Sequence, residues 1–182
     1  CKQPISSTGH RRNYLLMNEN GNLVDRTTQW ATASTVSGDQ GFLTPTNDRD
    51  VQVVDVNMDG WLDVVTATTL SDGDPKYISH PRVYINQGQI GGVWQGLRYE
   101  EPRIPQLLTI PGGLAVAPRF CSVSAGDVTG DGAPDLYFVD YDGTETGIGE
   151  SASNDLNDRL LINDGNGNFT DSGQARMSST ML

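Results

Sequence analysis

The sequence predicts an all-β chain built from repeated four-stranded antiparallel units, about two and a half of them, and three observations predict it. An acidic skeleton, D-V-x-x-D-G-x-x-D followed by an apolar strand, begins at Asp55 and recurs at Asp127. A second element, an apolar triplet closed by asparagine, occurs three times and alternates with the first: Leu15 to Asn18, Val83 to Asn86 and Leu160 to Asn163. The apolar runs are short, β-branched and bounded by turn residues, and none keeps a helical period. Two elements alternating at a near-constant spacing are the mark of a repeat architecture.

In chain order, a half unit comes first, over about residues 11–27, where Asn20-Gly21 supplies the positive-φ pair of a tight hairpin turn. A full unit follows over about 48–101. It holds the strand Val51 to Val56, the first acidic loop, the strand Trp61 to Thr69, and the triplet at Val83 with a looser connection, Gln87 to Gly92, before Val93-Trp94. The last unit, over about 119–171, repeats that order around the second acidic loop and closes with a hairpin at Asn166-Gly167. Four-stranded units in series read as the blades of a β-propeller, so residues 1–182 read as a single propeller segment. A closed ring needs four to eight blades. The expected partners are therefore the remaining blades of the same precursor, a companion chain or a second copy.

Composition narrows the function. Twelve Lys and Arg stand against 23 Asp and Glu, a net charge of −11, so nothing neutralises phosphates and a nucleic-acid partner is excluded. Twenty-one glycines and nine prolines suit a turn-rich β protein, and no apolar run reaches the roughly 20 residues of a membrane span. Two cysteines are too few for a disulfide scaffold. Cys1 could carry a lipid, pair with Cys121 or be a chain end, and Cys121 reads as a small buried hydrophobe.

The acidic loops carry the chemistry. In D-x-N-x-D-G-x-x-D the side chains at positions 1, 3, 5 and 9 converge, while the glycine at 6 allows the reversal that aims them at one centre. Such hard oxygen donors suit Ca²⁺, which takes about 6–8 ligands. The first loop offers Asp55, Asn57, Asp59 and Asp63 by side chain and Trp61 by its carbonyl; the second offers Asp127, Thr129, Asp131 and Asp135, with the carbonyl of Ala133. Threonine is the poorer donor, so the second site is expected to be the weaker. Three carboxylates crowded into one short loop repel one another unless a cation sits among them. An EF-hand is excluded, because its position-12 glutamate is Thr66 and Phe138 here and the flanks read as strands. The plainer alternative is a pair of Asp/Gly-rich β-turns.

These residues resemble the FG-GAP/VCBS repeat family, the calcium-loop blades of integrin α-subunit propellers and of many secreted bacterial proteins. Asp55 to Val65 is similar to the family loop at every liganding position, Asp127 to Asp135 departs only at Thr129, and Asn157 to Asp171 resembles the partner hairpin. The resemblance spans about residues 11–173. It implies an extracellular, cell-surface or periplasmic setting and a calcium-binding fold, but no one function, since such repeats serve adhesion, lectin-like and polysaccharide-degrading proteins.

No further motif competes. His10 and His80 fit no nucleophile or zinc pattern and read as exposed loop residues; Glu100, Glu101 and Glu145 read as solvated. The polar stretches 69–79 and 141–157 are candidate recognition loops, where Tyr77 and Tyr141 could stack on sugars, while Trp30 and Trp94 suit blade packing at least as well. Asn168-Phe169-Thr170 matches a glycosylation acceptor. The expectation is a non-enzymatic calcium-binding module for protein or carbohydrate recognition. Its rivals are part of a lyase-type enzyme with its active site mostly elsewhere, and a purely structural module.

Overall fold

The computed structural model describes residues 12–46, 48–68, 80–105, 107, 120–140, 158–172 and 176. Strands β1 (Leu16–Glu19) and β2 (Asn22–Asp25) form a hairpin whose turn residues Asn20 and Gly21 both have positive φ, 54° and 88°. A single helical turn, α1 (Thr27–Trp30), follows, set by the Asp25 carboxylate, which accepts the Thr27 N–H and hydroxyl at 2.9 and 2.7 Å. Two-residue β3 (Ala33–Ser34) and a 3₁₀ turn at Gly41–Leu43 lead into the first large sheet.

That sheet runs through β4 (Asp48–Val54), β5 (Asp63–Thr68) and β6 (Arg82–Asn86). A small hairpin, β7 (Gln89–Ile90) and β8 (Val93–Trp94), projects before β9 (Leu97–Tyr99) returns to pair with β6. The order is β3-β9-β6-β5-β4, antiparallel except that β3 lies parallel to β9. The second sheet is a plain antiparallel meander of β10 (Phe120–Gly126), β11 (Asp135–Asp140), β12 (Arg159–Asn163) and β13 (Phe169–Asp171). The two share a register: Val54 opposes Asp63 as Gly126 opposes Asp135, and both first strands bulge at the same point, Asp48/Asp50 and Phe120/Ser122. The chain is thus all-β, with several antiparallel sheets and no closed barrel among the described residues.

Two features depart from the sequence reading. The loose connection after Asn86 is an inserted hairpin turned by Gly91-Gly92, so the strand beside β6 is Leu97–Tyr99 and not Val93-Trp94. The parallel fifth strand, β3, is two residues long and carries no alternation by which it could be recognised.

Burial explains the apolar pattern. Val56, Val65, Ala67, Val83 and Ile85 of the first unit meet Phe120, Val123, Leu136, Phe138, Leu161 and Phe169 of the second in one core, with Ile104 and Leu107 filling in from the connection. A second core lies on the other face of the first sheet, where Ala31 and Phe42 cover Tyr84, Leu97 and Tyr99, with Leu15, Val36, Val64 and Trp94 packed alongside. Burying each such side chain contributes roughly 1.5–3 kcal/mol against the entropy of ordering it. Trp30 stacks near Trp94, ring centroids 5.8 Å apart, so both tryptophans serve packing. Among the described residues no helix is long and apolar enough to cross a membrane.

One ion pair fastens the second core. The Arg82 guanidinium bonds Asp39 at 2.7 Å and lies 4.0 Å over the Tyr99 ring, and both partners are nearly buried, at 11% and 7% side-chain exposure. Burial alone would push the Asp39 carboxyl up, yet Arg82 and the Gly41 N–H outweigh it and hold it below the usual aspartate range. That stability is present above the ordinary aspartate pKa and is lost as pH falls through the lowered folded value. Asp39→Ala is expected to cost about 2–4 kcal/mol, because it leaves a guanidinium unpaired. Glu19→Ala, which breaks the exposed Arg26 pair, is expected to shift a urea melt far less.

Candidate metal centre

Each acidic loop closes a strand-to-strand reversal, β4 to β5 and β10 to β11, and the two are wired alike. Asp55 accepts the Asp59 N–H on Oδ1 at 3.1 Å and the Gly60 N–H on Oδ2 at 2.8 Å. Asp127 accepts the Gly130 and Asp131 N–H groups on Oδ1 and the Gly132 N–H on Oδ2, the last at 2.8 Å. Asp59 Oδ1 accepts the Trp61 N–H, and Asp131 Oδ1 the Ala133 N–H. Those N–H bonds draw the loop around the carboxylates at positions 1 and 5 and leave lone pairs on the same oxygens. Asn57 lies beside Asp59, its amide nitrogen donating at 2.9 Å, and the Thr129 hydroxyl donates to Asp127 at 3.3 Å.

Backbone conformation follows the same repeat. Gly60 and Gly132 take φ of 88° and 90°. Two residues earlier, Met58 and Gly130 occupy equivalent places with φ of 60° and 79°. The left-handed region costs a residue with a side chain about 1 kcal/mol or more, so the first loop holds strain that the second avoids with glycine.

The carboxylate at position 9 does a second job that the spacing did not disclose. Asp63 is fully buried; its Oδ2 accepts the Val56 N–H at 3.0 Å and its Oδ1 the Asn86 N–H at 2.7 Å. Asp135 repeats this with the N–H groups of Val128, at 3.0 Å, and Asn163, at 2.9 Å. The asparagines that close the second and third apolar triplets, Asn86 and Asn163, are thus clasped to the acidic loops, whereas Asn18 of the first accepts the Gly21 N–H of its own turn. Asn86 returns its amide to the Leu62 carbonyl at 3.0 Å, as Asn163 does to that of Pro134 at 2.9 Å. Asn163 also reaches the Val56 carbonyl of the first loop, at 2.8 Å, and so joins the two units.

Burial dominates the electrostatics of the ninth position in the first loop. Burial pushes the Asp63 carboxyl up to about 6, the N–H groups of Asn86 and Val56 oppose that, and the negative charges of Asp59 and Asp55 raise it further. Asp63 therefore feels both of the other carboxylates. Among the described residues, however, no three His, Cys, Asp or Glu side chains converge at metal-ligand spacing. The donors that the sequence nominates in each loop are carboxylates, an amide or a hydroxyl, and a backbone carbonyl. All are hard oxygens, which fits Ca²⁺ or Mg²⁺ and not a thiolate or imidazole metal.

The hairpin of the second unit seats against the first loop. At Gly167, φ 77°, an added Cβ would lie 2.7 Å from Arg103 Nη1, 3.1 Å from Val56 and 3.3 Å from Asn57. Arg103 bonds the Asn166 carbonyl at 2.7 Å and is held from behind by Glu100, which also pairs with Arg98. Glu100 is accordingly an ion-pair hub, not a solvated loop acid. His80 is likewise not an exposed loop residue: its ring nitrogens lie 2.9 Å from the carbonyls of Pro81 and Pro105, and burial holds its pKa below the usual histidine value. Cys121 is half-buried against the Val139 carbonyl. Asn168 is exposed and bonds Asp164. Cys1, His10, Tyr77, Tyr141, Glu145 and the stretches 69–79 and 141–157 lie outside the described residues.

Comparison with protein families matches the model of the FG-GAP-like repeat to residues 55–138, from the first acidic loop into β11. No curated protein and no solved structure gives a significant match.

Proposed function

Taking residues 55–138 as an FG-GAP-like repeat, we propose that the chain is a calcium-binding module of a β-propeller, working outside the cytoplasm in recognition of a protein or a carbohydrate. The observation that carries this is the duplicated loop: the acidic reversals that start at Asp55 and Asp127 share their backbone reversal, their N–H wiring and the clasp to the following asparagine. Asp55, Asn57, Asp59, Asp63 and the Trp61 carbonyl would hold one Ca²⁺, and Asp127, Thr129, Asp131, Asp135 and the Ala133 carbonyl a second. The bound ion neutralises carboxylates that otherwise repel one another and stiffens each reversal. A repeat so stiffened is a scaffold for presenting loops, and the extracellular setting follows from the calcium there, which keeps weak loops filled.

Calorimetric titration tests the reading. Two calcium ions per chain are expected, the tighter in the first loop, where asparagine stands in place of Thr129. Asp59→Ala is expected to abolish the tighter phase and Asp131→Ala the weaker, with the larger loss of calcium-dependent melting temperature from Asp59→Ala. Equal losses would overturn the ranking, and no calcium heat in the wild-type chain would overturn the assignment. Binding to a glycan array without release of cleaved oligosaccharide is the expected outcome for a recognition module.

A further inference from the structure

Asp55 and Asp127 open equivalent loops, and Asn86 and Asn163 close equivalent triplets, so the two units can be compared residue by residue. They differ sharply at one place. The seventh loop position is Trp61 in the first unit and Ala133 in the second. Two residues after the triplet asparagine both units have glycine, but its surroundings differ. An added Cβ at Gly165 meets nothing within 4 Å, whereas one at Gly88 would lie 3.0 Å from Trp61 Nε1 and 3.4 Å from both Cδ1 and Cε2. Three such similar distances put Gly88 over the face of the five-membered ring and not at its edge. Gly88 is buried there and has a φ of 63°, so a side chain would be strained as well as crowded. From the next residue the first unit carries the inserted hairpin β7–β8, where the second has a tight turn over 164–168.

Folding does not require this ring. Alanine completes the second loop, so the backbone reversal needs no large side chain at that position. Trp61 stays 38% exposed although the second unit's hairpin is already seated on the same loop, at Val56 and Asn57. Its ring is therefore laid flat on the Gly88 backbone without being sunk into a core. The groups around it are polar. Asp59 is exposed; it accepts the Trp61 N–H on Oδ1 at 2.8 Å and the Asn57 amide on Oδ2 at 2.9 Å. Gln89, also exposed, follows Gly88 directly. A flat apolar ring edged by hydrogen-bonding groups suits the C–H face of a sugar ring, whose hydroxyls point outward to such neighbours. The loop carboxylates and the net charge of −11 disfavour an acidic sugar.

We propose that Trp61, backed by Gly88 and flanked by Asp59 and Gln89, is a stacking platform for a neutral carbohydrate. The sugar lies on the ring face turned away from Gly88, and its hydroxyls bond the flanking carboxylate and amide. The proposal rests on the recognition reading above and deepens it by naming the ligand class and the residue that meets it.

Calorimetric titration of the chain, in calcium, with neutral oligosaccharides of glucose, galactose and mannose tests it, with oligogalacturonate as the acidic control. At least one neutral sugar is expected to bind, and more tightly than the control. Trp61→Ala is expected to weaken that binding by about tenfold, the effect of losing one stacked ring, and Trp61→Phe to recover part of it. Gly88→Ala, whose added Cβ displaces the ring, is expected to weaken it as well. Bound sugar is also expected to shield Trp61 from oxidation by N-bromosuccinimide, located by peptide mass spectrometry. That measurement uses the wild-type chain and decides the matter if Trp61→Ala fails to fold. No binding of any neutral sugar, tighter binding of the acidic control, unchanged affinity in Trp61→Ala, or a Trp61 left unshielded would each overturn the proposal. A protein ligand lost in Trp61→Ala, with no sugar bound by the wild-type chain, would overturn it in favour of a protein contact. Calcium heat from the same wild-type sample separates the two claims. Calcium bound without any sugar removes the platform and leaves the calcium-binding module, whereas sugar bound through Trp61 without calcium heat does the reverse.

Discussion

Chelation of calcium is expected to lower the melting temperature of the chain by about 5–10 °C. The sign follows from mass action, since an ion bound only by the folded loops stabilises the fold. The size follows from the same relation: at a free concentration about a hundred times the dissociation constant, one site contributes about 2.7 kcal/mol, and about 1 kcal/mol moves the midpoint of a chain of this length by about 2–4 °C. Scanning calorimetry in calcium and in excess chelator is the measurement. Magnesium is expected to restore less, because it demands a tighter octahedral shell than a loop with one amide and one carbonyl donor supplies. Coincident melts in calcium and chelator would remove the cation from the account of stability.

Asp63→Ala is expected to cost about 2–5 kcal/mol even with no calcium present. The substitution leaves the buried Val56 N–H and the partly buried Asn86 N–H without their acceptor, and each unsatisfied buried donor costs about 1–3 kcal/mol. Asp135→Ala is expected to match it, since Val128 and Asn163 lose the same two bonds. Urea melts in chelator isolate this effect from ion binding, and a loss below about 1 kcal/mol there would show the clasp to be slack. The contrast with Asp59→Ala is informative: Asp59 is exposed and sits on the loop's outer rim, so its loss is expected to act chiefly when calcium is present.

These two outcomes divide the acidic loop into parts that the sequence shows unequally. The reversal from Asp55 to Asp63 is legible because it lies within one short loop, where spacing alone decides which backbone N–H groups a carboxylate can reach. The repeat period is legible for a similar reason, as a comparison of the chain with itself. What Asp63 holds is not legible, because Asn86 lies 23 residues away and the pairing exists only once β5 and β6 are side by side. The same is true of Asn163, which in the sequence closes an apolar triplet and in the fold bonds a carbonyl 107 positions earlier. Composition misleads at Glu100 and His80: a polar residue between strands reads as solvated until the chain folds Arg103 and Pro105 over it. The parallel placement of β3 against β9 sets Ala33 beside Arg98 through a strand too short for any periodicity.

The bond from Asn163 to the Val56 carbonyl carries a consequence for any longer array of such units. The first loop is the seat of the neighbouring hairpin, so on the calcium reading proposed above, losing the ion in one unit loosens the footing of the next. Stability then passes along the series by nearest-neighbour coupling, and depleting calcium should unzip such an assembly over a narrow range of concentration instead of eroding each unit separately.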